Sequence, residues 1–360
     1  MWVAYGTRGV EKLIETLDTT DAEVLRATLV TLNSLMSSQE SKAQALSREP
    51  PLVPILGKLL GSEDDEVKRQ AALTLASLGL LYQGRLAMSE AGTVGELSAL
   101  VLDSSSTGVR EAVSSALLSL SESRDGCATL IAHANIVSTL TQALDDAHPP
   151  AKANSLRALA NLSRLDLGIG EALSSGVMAR LHATIDPKGK SLAPGALELV
   201  CSALQTLWNL ANTPDGKSAA LDAAVLPMLG VYCRHGSPRE QRLAAGCIMA
   251  ITINKQGKME STECLEPLAD LLLSNDTDDD TMRDVVGALK NMAEFPAARK
   301  ALERFVRRKG MKPDDLNMFD AKPWPHSIRY LHQNFAPGGK AAKSEAAVRK
   351  RWGYPEPISA

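Results

Sequence analysis

The stretch that decides the fold is Ala151–Leu165, AKANSLRALANLSRL. Pro149 and Pro150 stand before it, and Gly168 and Gly170 follow. Proline near the start and glycine past the end is the usual asymmetry of one bounded helix. Leu156, Leu159, Ala160 and Leu162, with Ala153 and Ala158 between them, leave little purely polar surface. A helix apolar over most of its circumference has to be covered on more than one side. Its alanines and serines let neighbouring helices come close.

The pattern recurs along the chain. Its last leucine-type residue is Leu35, Leu78, Leu120, Leu162, Leu210, Ile251 and Met292 in turn, at spacings of 43, 42, 42, 48, 41 and 41 residues. The one long interval has a visible cause, the Pro/Gly/Lys loop DPKGKSLAPG between Ile185 and Ala196. A fixed period in the forties with helical content is the signature of stacked helical repeats of the armadillo and HEAT range. Each unit reads as a short helix, a second helix, a polar turn and a long third helix. Two helices per unit would be HEAT; three is the armadillo pattern. The expected fold is therefore all-α: a right-handed armadillo-repeat solenoid of about seven units over residues 1–309, with an irregular arm over 310–360.

Third helices are expected at Val24–Met36, Glu66–Leu80, Val109–Ser121, Ala151–Leu165, Ala196–Ala211, Glu240–Ile253 and Met282–Glu294. The first unit opens at Gly9 with its second helix, and no complete short first helix is readable before it. A further helix, Ala297–Arg308, is expected to close the array. The acids of Ser62–Glu66 and Asp276–Asp280 precede two third helices, where carboxylates cap free N–H groups and oppose the positive end of the dipole.

The formal charge of −3 conceals a split: −9 over residues 1–302 and +6 over 303–360. An acidic array lacks the basic stripe of a nucleic-acid binder. The five cysteines, Cys127, Cys201, Cys233, Cys247 and Cys264, form no CxxC pair and are expected as free, buried thiols. The longest apolar run, Ala223–Cys233, is interrupted by Pro227 and is short of the ~18–20 residues that span a bilayer. No charged-then-apolar leader opens the chain, so a soluble, intracellular protein is expected.

Chemistry-bearing patterns are missing. The histidines hold no metal-ligand spacing with cysteine or carboxylate. A calcium loop starting at Asp276 would need Gly at its sixth position and Glu at its twelfth, and those are Thr281 and Gly287. No P-loop, GxSxG or dinucleotide fingerprint appears. No enzyme activity, cofactor, metal or small-molecule substrate is expected.

Third helices line the groove of armadillo stacks, so exposed residues there are ligand candidates. One step before each anchor stand Ser34, Ser77, Ser119, Asn161, Asn209, Ala250 and Asn291. In armadillo proteins resembling the nuclear-import receptors, such an Asn bonds the backbone of an extended peptide while a Trp four residues earlier stacks on lysine. Here the positions four before Asn161, Asn209 and Asn291 are Arg157, Gln205 and Gly287, and Trp208 adjoins Asn209 instead. The asparagine ladder is partial, and the three asparagines are the groove candidates.

With the repeats laid out, the sequence resembles the armadillo proteins of the ciliary radial spoke. The resemblance runs from YGTRGVEKL through HANIVSTLTQALDD and KANSLRALANL to LAAGCIMAITINKQGKMESTECLEPLADLLLS and VGALKNMAEFPAARKAL. AAGCIMAITINKQGK is its most specific part. The resemblance implies a non-catalytic scaffold in the axoneme, holding radial-spoke subunits in register, with no membrane or nucleic-acid partner. The competing reading is a soluble adaptor or import-type receptor that captures extended peptides in its groove.

The arm stands apart. Seven of the thirteen aromatics fall in residues 303–360, which is the wrong composition for a disordered tail. Trp324, Tyr330, Phe335, Trp352 and Tyr354, with Arg349, Lys350 and Arg351, are the residue types that dominate interfaces. Two roles are open: capping the array's own acidic end, or docking on a partner.

Overall fold

The computed structural model describes residues 8–48, 51–103, 105–133, 135–186, 195–274 and 276–309, and every regular element among them is helical. The arm over 310–360 and most of the loop before Ala196 lie outside the described residues. The chain divides into two compact bodies, Met1–Ile185 with Gly189–Leu210 and Asp186–Lys188 with Ala211–Ala360. No helix among the described residues is long and apolar enough to cross a membrane.

In the first body, repeat one contributes Gly9–Thr16 and the long Ala22–Leu35. Repeats two to four each show the expected three helices: Gln39–Leu46, Leu52–Leu59 and Asp65–Gly79; Tyr82–Glu90, Thr93–Asp103 and Thr107–Ser121; Arg124–Ala132, Ile136–Gln142 with a 3-10 turn Ala143–Asp145, and Pro149–Leu162. Repeat five is Asp166–Ser174, Val177–Ile185 and Ala196–Ala211. The second body holds Pro214–Asp222, Leu226–His235 and Pro238–Ile251. Lys255–Glu260 then runs into a 3-10 turn Ser261–Cys264, ahead of Leu265–Leu273, Asp279–Ala293 and the closing Pro296–Arg308.

The anchors carry the core. Leu78, Leu120, Leu162, Leu210 and Ile251 are fully buried, and Met292 nearly so. Repeat one differs: Leu35 is half-buried, and Leu32, one turn earlier, is the interior residue. Burial on several faces explains why these third helices are rich in alanine, since stacked repeats need both neighbours to exclude water.

Their starts are set by caps. The Asp64 carboxylate accepts from the Glu66 and Val67 amides, and Asp278 accepts from Asp280 and Thr281, as the acidic turns predict. Ser237 and Glu240 form a reciprocal capping box ahead of Pro238–Ile251.

Their ends correct the sequence reading. The helix expected over Ala151–Leu165 ends at Leu162, and Gly168 lies inside the next helix, Asp166–Ser174. Gly168 is needed for close approach, not as a helix stop. A Cβ there would lie 2.2 Å from the Leu162 carbonyl oxygen. The same holds at Gly84 against Leu78, Gly126 against Leu120 and Gly257 against Ile251, at 2.0, 1.8 and 2.3 Å. Each glycine stands six residues after its anchor. At each of these four junctions the chain turns so sharply out of its third helix that the following short helix presses backbone to backbone on the anchor's carbonyl.

Ion pairs join successive repeats at the other end of the third helices. Arg26 pairs with Asp64 through Nε–Oδ2 at 2.5 Å, Arg110 grips Asp146 at 2.6 and 3.0 Å, and Arg242 meets Asp280 at 3.0 Å. The Arg110–Asp146 pair is the most sheltered, with its side chains 17% and 7% exposed. Hydrogen bonding to the guanidinium holds the Asp146 carboxyl below its ordinary range and raises Arg110. Asp64 is likewise lowered, first by Arg26. A depressed folded-state pKa contributes stability that is present above the unfolded value, about 4, and lost as pH falls through the folded one. The Arg26–Asp64 and Arg110–Asp146 clasps therefore loosen in acid.

Candidate functional site

The three groove asparagines turn inward. The Asn161 amide donates to Ser121 Oγ at 3.0 Å. Asn209 donates to the Ala160 carbonyl at 2.9 Å and to Ser163 Oγ at 3.0 Å. Asn291 donates to the Met249 carbonyl at 3.1 Å and to Thr252 Oγ1 at 3.3 Å. Every one of these bonds crosses from one third helix to the end of the preceding one.

The acceptors have a register of their own. Ser121, Ser163 and Thr252 stand one residue after the anchors Leu120, Leu162 and Ile251. Each hydroxyl donates back into its own helix, to Leu118, Ala160 and Ile248, leaving its oxygen lone pairs for the incoming amide. The rule has two halves: a hydroxyl just past one anchor and an Asn just before the next. Where the Asn is replaced by Ser119, the facing position is Gly79, and a Cβ there would meet the Ser119 Cβ at 3.4 Å. Close approach stands in for the polar staple.

The consequence for binding is direct. An amide NH2 has two hydrogens, and both hydrogens of Asn209 and of Asn291 already have acceptors inside the array. The Asn209 carbonyl oxygen also accepts from Gln205 Nε2 at 3.1 Å. Four residues before the asparagines, Arg157 lies 3.9 Å from Glu122, and Gly287 faces Met249, to whose sulfur a Cβ would come within 2.6 Å. The arm candidates Trp324, Tyr330, Phe335, Arg349, Lys350, Arg351, Trp352 and Tyr354 lie outside the described residues.

Removing a staple should show as stability. Asn291→Ala is expected to cost about 1–2 kcal/mol, the usual effect of losing a half-buried hydrogen-bonding group. A chemical denaturation midpoint equal to wild type would mean the staple carries no weight.

All five cysteines are free and buried. Burial pushes the Cys233 and Cys247 thiols well up and Cys264 up to about 12, which disfavours the nucleophilic thiolate. Cys264 donates instead to the Leu226 carbonyl at 3.2 Å. Among the described residues no group of three potential ligands is placed to hold a metal ion.

Asp284, in the helix Asp279–Ala293, is the perturbed carboxylate. It is only 6% exposed, and burial raises it to about 6, with Arg283 and Arg242 opposing and Asp280 and Asp278 reinforcing the rise. The folded chain holds this proton more tightly than the unfolded chain does. Stability therefore falls as pH rises from about 4 to about 6 and levels off above. Asp284→Asn should stabilise the protein by about 2 kcal/mol at neutral pH and flatten that interval. Melting temperatures across pH 4–7 that keep the wild-type slope would sink this assignment.

Among known proteins, no family model and no curated protein matches the chain. Solved structures do. An engineered protein superposes over 90% of this chain and 76% of its own, with 22% identity and a TM-score of 0.74. A designed armadillo-repeat protein in complex with the peptide (KR)4 matches over 67% of this chain and 99% of its own, with 22% identity and a TM-score of 0.60. A structure of the interaction between cadherin and beta-catenin matches over 90% of this chain and 59% of that one, with 17% identity and a TM-score of 0.72. The fold is the armadillo-repeat solenoid that the repeat period predicts.

Proposed function

We propose that the chain is a non-catalytic scaffold that holds other protein subunits of a large assembly, and that this assembly is the radial spoke of motile cilia. The observation that carries the scaffold reading is the fate of the asparagines. Their amide hydrogens fasten repeat to repeat, so the array is a stiffened support more than a reader of peptide backbone. The radial-spoke assignment rests on the sequence resemblance, of which AAGCIMAITINKQGK is the most specific part. In this reading the aromatic and basic arm is a docking element, and the protein resides in the axoneme.

The neighbour bound to (KR)4 keeps the adaptor reading in view, and one titration separates the two. Calorimetry of (KR)4 into the full chain is expected to show no sub-micromolar binding, because lysine capture needs an aromatic face four residues before each asparagine, where Arg157, Gln205 and Gly287 stand instead. A sub-micromolar constant would favour the adaptor. Tagged chain recovered from isolated cilia should carry radial-spoke proteins with it. Recovery of soluble cargo without them would overturn the assignment.

A further inference from the structure

The second body carries a basic recess that neither the repeat packing nor the asparagine register uses. It lies between the end of Leu226–His235, the start of Leu265–Leu273 and the second half of Pro296–Arg308. Its volume is about 740 Å³, and its lining includes Arg234, Leu265, Glu266, Arg304, Arg307 and Arg308. A smaller depression of about 390 Å³ continues it along Lys300, Glu303, Arg304 and Arg307. Spacings of four and three put those three cations on one face of the closing helix.

The charges are unequally matched. Arg308 is paired with Glu266 and stacks over the Phe305 ring at 5.8 Å. Lys309 reaches Asp270 at 3.2 Å. Arg234, Arg304 and Arg307 are exposed and form no ion pair among the described residues. Glu263 is the one further carboxylate of the lining. With Lys300, these three guanidinia make four cations without an ion pair among the described residues against two such carboxylates, Glu263 and Glu303, and leave the recess positive on a chain whose first 302 residues carry −9.

We propose that this recess is a docking site for an acidic protein segment, a run of Asp and Glu side chains on a partner. Guanidinium pairs with carboxylate in a bidentate fork, and several such pairs at one site set both orientation and association rate. The apolar floor of Leu265 and Ala301 suits the stems of those side chains. The chain's own arm is the wrong occupant, since residues 310–360 carry 8 Lys+Arg against 5 Asp+Glu. A nucleic acid would meet the acidic array flanking a basic patch only a few residues wide. The proposal stands apart from the radial-spoke assignment, and its failure would leave that assignment where it is.

The test is fluorescence anisotropy on the full chain with labelled decaglutamate, decalysine and oligothymidylate as probes. Decaglutamate should bind and should weaken about tenfold or more between ~50 and ~300 mM salt, as screened charge pairs do. Arg304→Glu with Arg307→Glu should weaken it at least about tenfold, while Arg124→Glu, an exposed reversal in the first body, should change it less than about twofold. If the double reversal lowers the melting temperature, Arg304→Gln with Arg307→Gln replaces it and should still weaken binding about threefold or more. No binding of decaglutamate overturns the proposal. So does tighter binding of oligothymidylate, or equal loss in the Arg124 control.

Discussion

Gly126→Ala is expected to destabilise the chain by about 3 kcal/mol or more, although it adds a single methyl group. The added Cβ would stand 1.8 Å from the Leu120 carbonyl oxygen and 2.9 Å from its carbon. Overpacking against a side chain can relax by a rotamer change. Here the obstacle is backbone at the end of a buried helix, so the whole junction between repeats three and four has to open. Gly170 supplies the contrast. It lies in the helix Asp166–Ser174, and a Cβ there meets nothing within 4 Å. Gly170→Ala should be neutral or stabilising by about 0.5–1 kcal/mol through helix propensity. Denaturation curves of the two variants side by side decide it. A Gly126→Ala midpoint matching wild type would mean the turn is not as tight as described.

Leu162→Ala should cost about 2–5 kcal/mol, the range for truncating a fully buried leucine. Leu162 has no exposed surface and sits where its helix ends, with Gly168 pressing on its carbonyl. Truncation therefore opens a void at a place that cannot collapse, because the short helix behind it already touches backbone. Coupling in a solenoid is between nearest neighbours. Amide exchange should accordingly quicken first in repeats three to five, ahead of Ala22–Leu35. Uniform acceleration across the first body would show that it unfolds as one unit.

The third helices were legible because their signal is local and repeated: Leu78, Leu120 and Leu162 recur at an almost constant step, each within a run of small residues. Asp64 and Asp278 were legible as caps for the same reason. Gly168 was misread as a helix stop. Its constraint is a steric contact with a carbonyl six residues back, and composition alone cannot separate that from a C-cap. The inter-repeat bonds of the asparagines were not legible, for a different cause. Asn161 and Asn291 find their acceptors 40 and 39 residues away, and a search one helix at a time sees only an amide with no neighbour. The signal was still present, as a Ser or Thr just past the previous anchor. The Arg110–Asp146 clasp was hidden in the same way, its partners being 36 residues apart.

That register has a consequence for how arrays of this kind can grow and shrink. Unequal crossing-over adds or deletes whole repeats, and a junction survives the exchange only if both of its faces still match. Repeat four spliced directly behind repeat two would set Asn161 against Gly79, where its amide finds no hydroxyl. Spliced behind another repeat ending in Ser or Thr, it would find one. The repeats are thus alike in shape yet keyed at their edges, and their order along the chain is held by chemistry at the seams.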